Sequence, residues 1–285
     1  MTQPIFILGG YQTDFSRNYT REDQDINHLM QECAESTFAS SNVDPKTVDV
    51  AHVGNFVGDR FTGQAQLGGV LAEAHPGLRD IAISRHEAAC ASGSMAIMAA
   101  MSDLEAGRYN CALVLGIELM RNIPGREAAE HLATAAWAGR ESLSAKFLWP
   151  SQFSDLADEY ERRYGLDHDH LGAIGNINLD NAKRNANAQT RGWQYGPENF
   201  TTNDETNPVV EGQIRRYDCS QVTDGACAIV LANEETAKNW AAANGKSHLV
   251  REVLLWLGST MVVLCSCDSM LVNKSACLPG DSDCC

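Results

Sequence analysis

Basic residues are scarce in this chain. Its 285 residues carry 22 Lys and Arg against 37 Asp and Glu, a net charge of −15. That balance disfavours nucleic acid as the main partner, because holding a phosphate backbone needs a basic face. A few local basic residues still suffice for a small anion, so a phosphorylated small molecule stays open. The N-terminus, Met1-Thr-Gln-Pro-Ile-Phe-Ile-Leu8, has neither a basic stretch nor a long apolar run, and reads as a first strand rather than a signal peptide. The apolar stretch Val253-Leu-Leu-Trp-Leu257 with Met261-Val-Val-Leu264 covers about a dozen residues, short of the roughly 20 that span a bilayer, so no membrane span is expected. No G-x-G-x-x-G follows any strand pattern, which weakens a dinucleotide-binding reading. No G-x-S-x-G occurs, which disfavours an α/β-hydrolase serine mechanism. A peroxisomal Ser-Lys-Leu ending is missing too. A cytoplasmic location is expected, with peroxisome or mitochondrion open.

What is present is a core-forming chain, 44% hydrophobic, long enough for one large domain or two smaller ones. Five of its ten cysteines (Cys33, Cys90, Cys111, Cys219, Cys227) are scattered, as in a reducing compartment; the other five (Cys265, Cys267, Cys277, Cys284, Cys285) crowd the end. Strand and helix patterns alternate up to residue 117, as in layered α/β architecture. Ile5 to Leu8 is a short strand ending at Gly9-Gly10. Asp25 to Ser40 has helical spacing, Val48 to Val57 reads as a strand, and Gln64 to Ala74 as a short helix. Asp80 to Ser84 is an apolar strand. A helix then runs to about Arg108, and Cys111 to Ile117 is a continuous apolar strand of a buried, mostly parallel sheet. Residues 118–215 are more polar and read as an insertion over the sheet, with helices from Ser154 and from an N-cap at Asp167. Ala226 to Ala232 returns to a buried strand after the turn Val222-Thr-Asp-Gly225, and Glu234 to Ala243 is a last helix.

Cys90 lies in Glu87-Ala-Ala-Cys90-Ala-Ser-Gly-Ser94, at a strand-to-helix junction. Backbone N–H groups at a helix start favour the thiolate, and Ala91, Ser92 and Gly93 leave room for a reactant. A small buried cysteine is the competing reading. His86, four residues earlier, invites a Cys/His pair, though spacing alone does not fix its direction. Asp167-His-Asp-His170 suits helix capping better than metal binding. Met95, Met98 and Met101 read as core packing, and no metal site is expected.

In this order the segments resemble the thiolase superfamily, most closely the sterol-carrier-protein type and bacterial acetyl-CoA acetyltransferases. Ala89-Cys90-Ala-Ser-Gly93 resembles the nucleophile motif. Leu113-Val-Leu-Gly116-Ile-Glu118-Leu-Met120 resembles the following strand and turn, with Ile117 where a second glycine is usual. Arg184-Asn-Ala-Asn-Ala-Gln189 is similar to the family's Asn/Ala-rich helix end, and Val222-Thr-Asp-Gly-Ala226 to the start of the last strand of its N-terminal half. The likeness runs over residues 3 to 245, and the Arg184 helix sets it apart from a ketoacyl synthase.

The resemblance implies an α/β thiolase-like layered fold with a mostly parallel mixed sheet, first half only. Residues 1–117 and 216–248 would form the N-terminal domain, residues 118–215 an inserted helical loop domain against which coenzyme A lies. Cys90 would take the acyl group from acyl-CoA as a thioester, its N–H helping to hold the thioester oxygen. Acyl-CoA would be a substrate rather than a bound cofactor, and the residues contacting it are not identified. A full-length member would be a homo-oligomer, a dimer or tetramer. The family's second cysteine and histidine sit in Cys-x-Gly and Gly-His-Pro segments of a C-terminal half, and neither occurs here. A truncated chain with weak turnover is therefore expected; the alternative is a non-catalytic acyl-CoA-binding or scaffold subunit. Residues 249–285 form an atypical Cys-rich tail. A frame-shifted or aberrantly spliced end, a cysteine-rich metal module and a lipid-modified terminus compete there, and the abrupt change of composition favours the first.

Overall fold

The computed structural model describes residues 4–141 and 144–246; the tail from 249 lies outside the described residues. Strand β1 (Ile5–Gln12) runs on through the two glycines expected to end it. The glycines are what lets it continue: a Cβ at Gly10 would lie 2.4 Å from the Ala228 carbonyl oxygen, and one at Gly9 2.7 Å from the Ser41 Cβ. The register slips between Ile7 and Gly9, a bulge where glycine belongs. Helix α1 (Ile26–Ser41) starts on Asp25, whose side chain accepts from the Asn27 and His28 N–H groups, and it buries Ile26, Leu29, Met30, Cys33, Ala34 and Phe38 along one stripe. Strand β2 (Val50–Gly54) is buried throughout. The short helix α2 (Gly58–Thr62), absent from the sequence reading, precedes α3 (Leu67–Ala74). Strand β3 (Ala82–His86) starts and ends two residues later than expected.

Helix α4 (Ser92–Glu105) packs through Ala96, Ile97, Ala100 and Leu104 onto Val50, Ala112, Val114 and Leu231. That small-residue stripe turns the neighbouring methionines outward. Met95 and Met98 are 41% and 58% exposed, contrary to the core role expected of them, while Met101 is partly buried against the same cluster. Strand β4 (Cys111–Glu118) fills the sheet's centre. Helices α5 (Gly125–Leu132), α6 (Leu148–Tyr164) and α7 (His168–Arg184) and the hairpin β5 (Val209–Glu211)/β6 (Ile214–Arg215) follow. Asp167 caps α7 by accepting from the Asp169 N–H. Strand β7 (Gly225–Asn233) and α8 (Glu234–Ala243) close the described chain.

The main sheet has the order β1-β7-β4-β2-β3. It is mixed, as expected: β2 runs parallel to β3 and β4, and β7 antiparallel to β4 and β1. The antiparallel share has a simple cause. Glu118 pairs with Gly225, so the long excursion brings the chain back to the end of β4 where it left, and β7 can only run in reverse. Helices α1, α3 and α8 contribute to the larger cluster on one face and α4 to the smaller cluster on the other. The carboxyl ends of the parallel strands share one edge, where Gly54 pairs with both His86 and Gly116.

Candidate active site

In open α/β sheets, ligands are bound beyond the carboxyl ends of the parallel strands. Cys90 lies there. From the end of β3 the chain passes through a 3-10 turn, Ala89–Ala91, before α4 begins at Ser92. Cys90 thus sits in the tight turn leading into the helix, two residues ahead of its first α-helical position. Ala89 is held at φ +49, a left-handed conformation costing a non-glycine residue about 1 kcal/mol or more. Side chains lock the turn: the Ser92 hydroxyl accepts from the Ala88 N–H (3.0 Å) and donates to the Ala89 carbonyl (2.6 Å), and Glu87 Oε1 accepts from the Ala89 N–H (2.6 Å). The helix start is seated backbone to backbone on β2, since a Cβ at Gly54 would lie 2.7 Å from Gly93 Cα.

Among the described cysteines Cys90 alone is exposed. Burial raises the thiols of the others: Cys111 to about 12, Cys219 and Cys227 to about 11, and Cys33 well above its ordinary value. Such thiols are poor nucleophiles at neutral pH. His86 is the histidine nearest to Cys90 in sequence. Its Nε2 lies 2.9 Å from His52 Nδ1 and 2.9 Å from Ser84 Oγ.

The same edge holds buried polar groups that the sequence reading did not single out. Asn55 donates to the Ile117 carbonyl (2.7 Å) and accepts from the Gly58 N–H, tying the ends of β2 and β4. Glu118 Oε1 accepts from the Phe56 N–H, while its Oε2 is shut away from water with no hydrogen-bond partner. Burial pushes this carboxyl up to about 7, against the backbone donors and the Arg85 charge that oppose the shift. Arg85 bonds the Phe56 carbonyl (2.8 Å) and Asp59 (3.0 Å). Asp224, fully buried, accepts from the N–H groups of Met120 and Arg121 (2.8 Å each) and Tyr19 (3.2 Å), and so pins the start of the insertion to that of β7. Arg191 grips Asp14 with two hydrogen bonds of 2.7 and 2.9 Å, fixing the chain beyond α7 to the loop after β1. The Thr-Asp-Gly turn is therefore an anchor, as is the Asn/Ala-rich segment, whose Asn187 carbonyl accepts from the Phe15 N–H (2.9 Å) just ahead of Arg191.

The family profile described as thiolase, N-terminal domain, matches residues 5–191. An acetyl-CoA acetyltransferase of Methanocaldococcus jannaschii is 32% identical over 238 residues, covering 83% of this chain and 57% of its own length. Sterol carrier protein 2 of Oryctolagus cuniculus is 24% identical over 242 residues, covering 83% and 42%. Among solved structures, the one described as Ltp2-ChsH2(DUF35) aldolase shares the fold with a TM-score of 0.63 at 19% identity, covering 83% of this chain and 57% of that one. The chain thus spans a little over half the length of the first of these relatives.

Proposed function

The chain belongs to the thiolase family, and from that premise we propose that it is an acyl-CoA acyltransferase chain with Cys90 as acyl acceptor. The Cys90 thiolate attacks the carbonyl carbon of an acyl-CoA thioester, the carbon–sulfur bond to coenzyme A breaks, and coenzyme A leaves as its thiolate. One observation carries the assignment: Cys90 is the one exposed cysteine among the described five, the others being buried or partly buried, and it sits on a strained and locked turn at the strands' carboxyl edge. The insertion over residues 118–215 serves as the loop domain against which coenzyme A lies. Passing the acyl group on, by thiolysis or condensation, needs a base and a second thiol. The Gly-His-Pro and Cys-x-Gly segments that resemblance assigns to those roles do not occur in these 285 residues, so we assign the chain acylation without efficient turnover. Incubation with acetyl-CoA followed by peptide mapping tests this: an acetyl thioester on Cys90 is expected, and labelling that persists elsewhere in Cys90→Ser while sparing Cys90 in the native chain would refute it.

A specific observation also favours a second reading, a subunit completed by a partner. Phe153, Leu156, Tyr160 and Tyr164 form an exposed stripe on α6, and Ile174 and Ile177 on α7 are 57% and 58% exposed. Apolar patches of this kind mark interaction sites. The related fold described with a DUF35 protein makes such a protein one partner to try, and a second copy of the chain the other. Sizing chromatography separates them: a monomer that stays monodisperse alone and with a DUF35 protein sinks this reading.

A further inference from the structure

We propose that His52 Nδ1, His86 Nε2 and Ser84 Oγ form a binding site for one transition-metal ion of the zinc class, with Asp103 as the outer partner of His52. The three donor atoms converge. His52 Nδ1 lies 2.9 Å from His86 Nε2 and 3.2 Å from Ser84 Oγ, and Ser84 Oγ lies 2.9 Å from His86 Nε2. Parallel register produces the triangle: His52 pairs with Ser84 across β2 and β3, and His86 follows two residues on, on the same face. An ion about 2.0–2.1 Å from each donor fits just above such a triangle once its edges open by a few tenths of an ångström. Ser84 is exposed and His86 half-buried, so a fourth position is open to water; His52 is only 4% exposed.

Asp103, reaching in from α4, places Oδ2 3.3 Å from His52 Nε2, at ion-pair distance but not aligned as a hydrogen bond, so that nitrogen is buried without a hydrogen-bond partner. A ligating histidine ordinarily turns its other nitrogen to a carboxylate, which fixes the tautomer. Here the carboxylate lies on the Nε2 side of His52, and Nδ1 faces His86 and Ser84. Without an ion, the three contacts share at most two hydrogens, one from the His86 ring and one from the Ser84 hydroxyl. An ion satisfies all three lone pairs at once. No group of three His, Cys, Asp or Glu residues converges among the described residues, so the third donor is the hydroxyl.

The test uses the full chain with Cys265, Cys267, Cys277, Cys284 and Cys285 changed to Ser, so that tail thiolates do not compete for metal. Zinc binding is measured by equilibrium dialysis and the bound ion by zinc K-edge X-ray absorption. One zinc per chain is expected, in a nitrogen and oxygen shell with two imidazoles and no sulfur. Asp103→Asn should weaken it about 10- to 100-fold, and His86→Ala by at least as much. Ser84→Cys, at an exposed position, should add one sulfur to the shell and so reports on the site even where His86→Ala fails to fold. No bound zinc, sulfur in the shell of the Ser84 chain, unchanged affinity in folded His86→Ala, or no sulfur in Ser84→Cys overturns the proposal.

Discussion

Replacing Gly54 by alanine tests how Cys90 is positioned. The added methyl would lie 2.7 Å from Gly93 Cα and 2.9 Å from Gly93 N and the Ser92 carbonyl oxygen, all backbone atoms. Ordinary contact begins near 3.4 Å, so the start of α4 must withdraw by about 0.7 Å or β2 must bend. Overpacking of this kind costs about 1–3 kcal/mol. A displacement approaching 1 Å at a reacting group can cost on the order of 100-fold in rate, so Cys90 acylation by acetyl-CoA should slow by about 10- to 100-fold. Gly107→Ala is the matched control. Gly107 has φ +68 and open space around its Cα, so alanine there costs about 1–2 kcal/mol of backbone strain and leaves Cys90 in place. Urea unfolding gives the stability loss, and time-resolved peptide mass spectrometry the acylation rate. Wild-type acylation in Gly54→Ala, or equal slowing in Gly107→Ala, would show that the Gly54–Gly93 contact does not position Cys90.

Glu118 gives a pH signature. Its folded value, about 7, lies above the ordinary 4.5, so the folded state holds its proton more tightly than the unfolded state. The associated stability is fully present below about pH 4.5 and is lost as pH rises through 7, on the order of 3 kcal/mol. Glu118→Gln should remove this slope, read as urea midpoints from pH 4.5 to 8. Asp224→Ala should strand three backbone N–H groups in the interior and cost about 3 kcal/mol or more, with faster amide exchange at Met120 and Arg121. Changing Phe153 and Leu156, 59% and 62% exposed, to lysine should alter stability by no more than about 0.5 kcal/mol, and should abolish any self-association or partner binding seen by sizing chromatography.

The continuous apolar run of β4 reads as a buried strand because both its faces are covered, and Asp167 reads as a cap because its side chain accepts from its own helix. Cys90 stands out because a strand pattern, a cysteine and small residues follow in order. Features that pair distant segments were harder to see. The outward turn of Met95 and Met98 depends on which stripe of α4 meets the sheet, and a helix rich in small apolar residues allows more than one. The antiparallel return of β7 depends on where the insertion ends. Glu118 shifts because of what encloses it, and nothing in Gly116-Ile-Glu118 carries that information. His52 and His86, 34 residues apart, meet only through strand register. One signal for that pair was legible: a histidine in the otherwise apolar run Val50-Ala-His-Val53 needs a polar partner when buried.

Acylation of Cys90 is read from coenzyme A release on mixing the chain with acetyl-CoA, followed by chromatography. A burst of one equivalent of free coenzyme A per chain is expected, followed by a far slower steady state, with the burst gone in Cys90→Ser. Release without a burst, a burst that survives Cys90→Ser, or sustained turnover at the burst rate would contradict it.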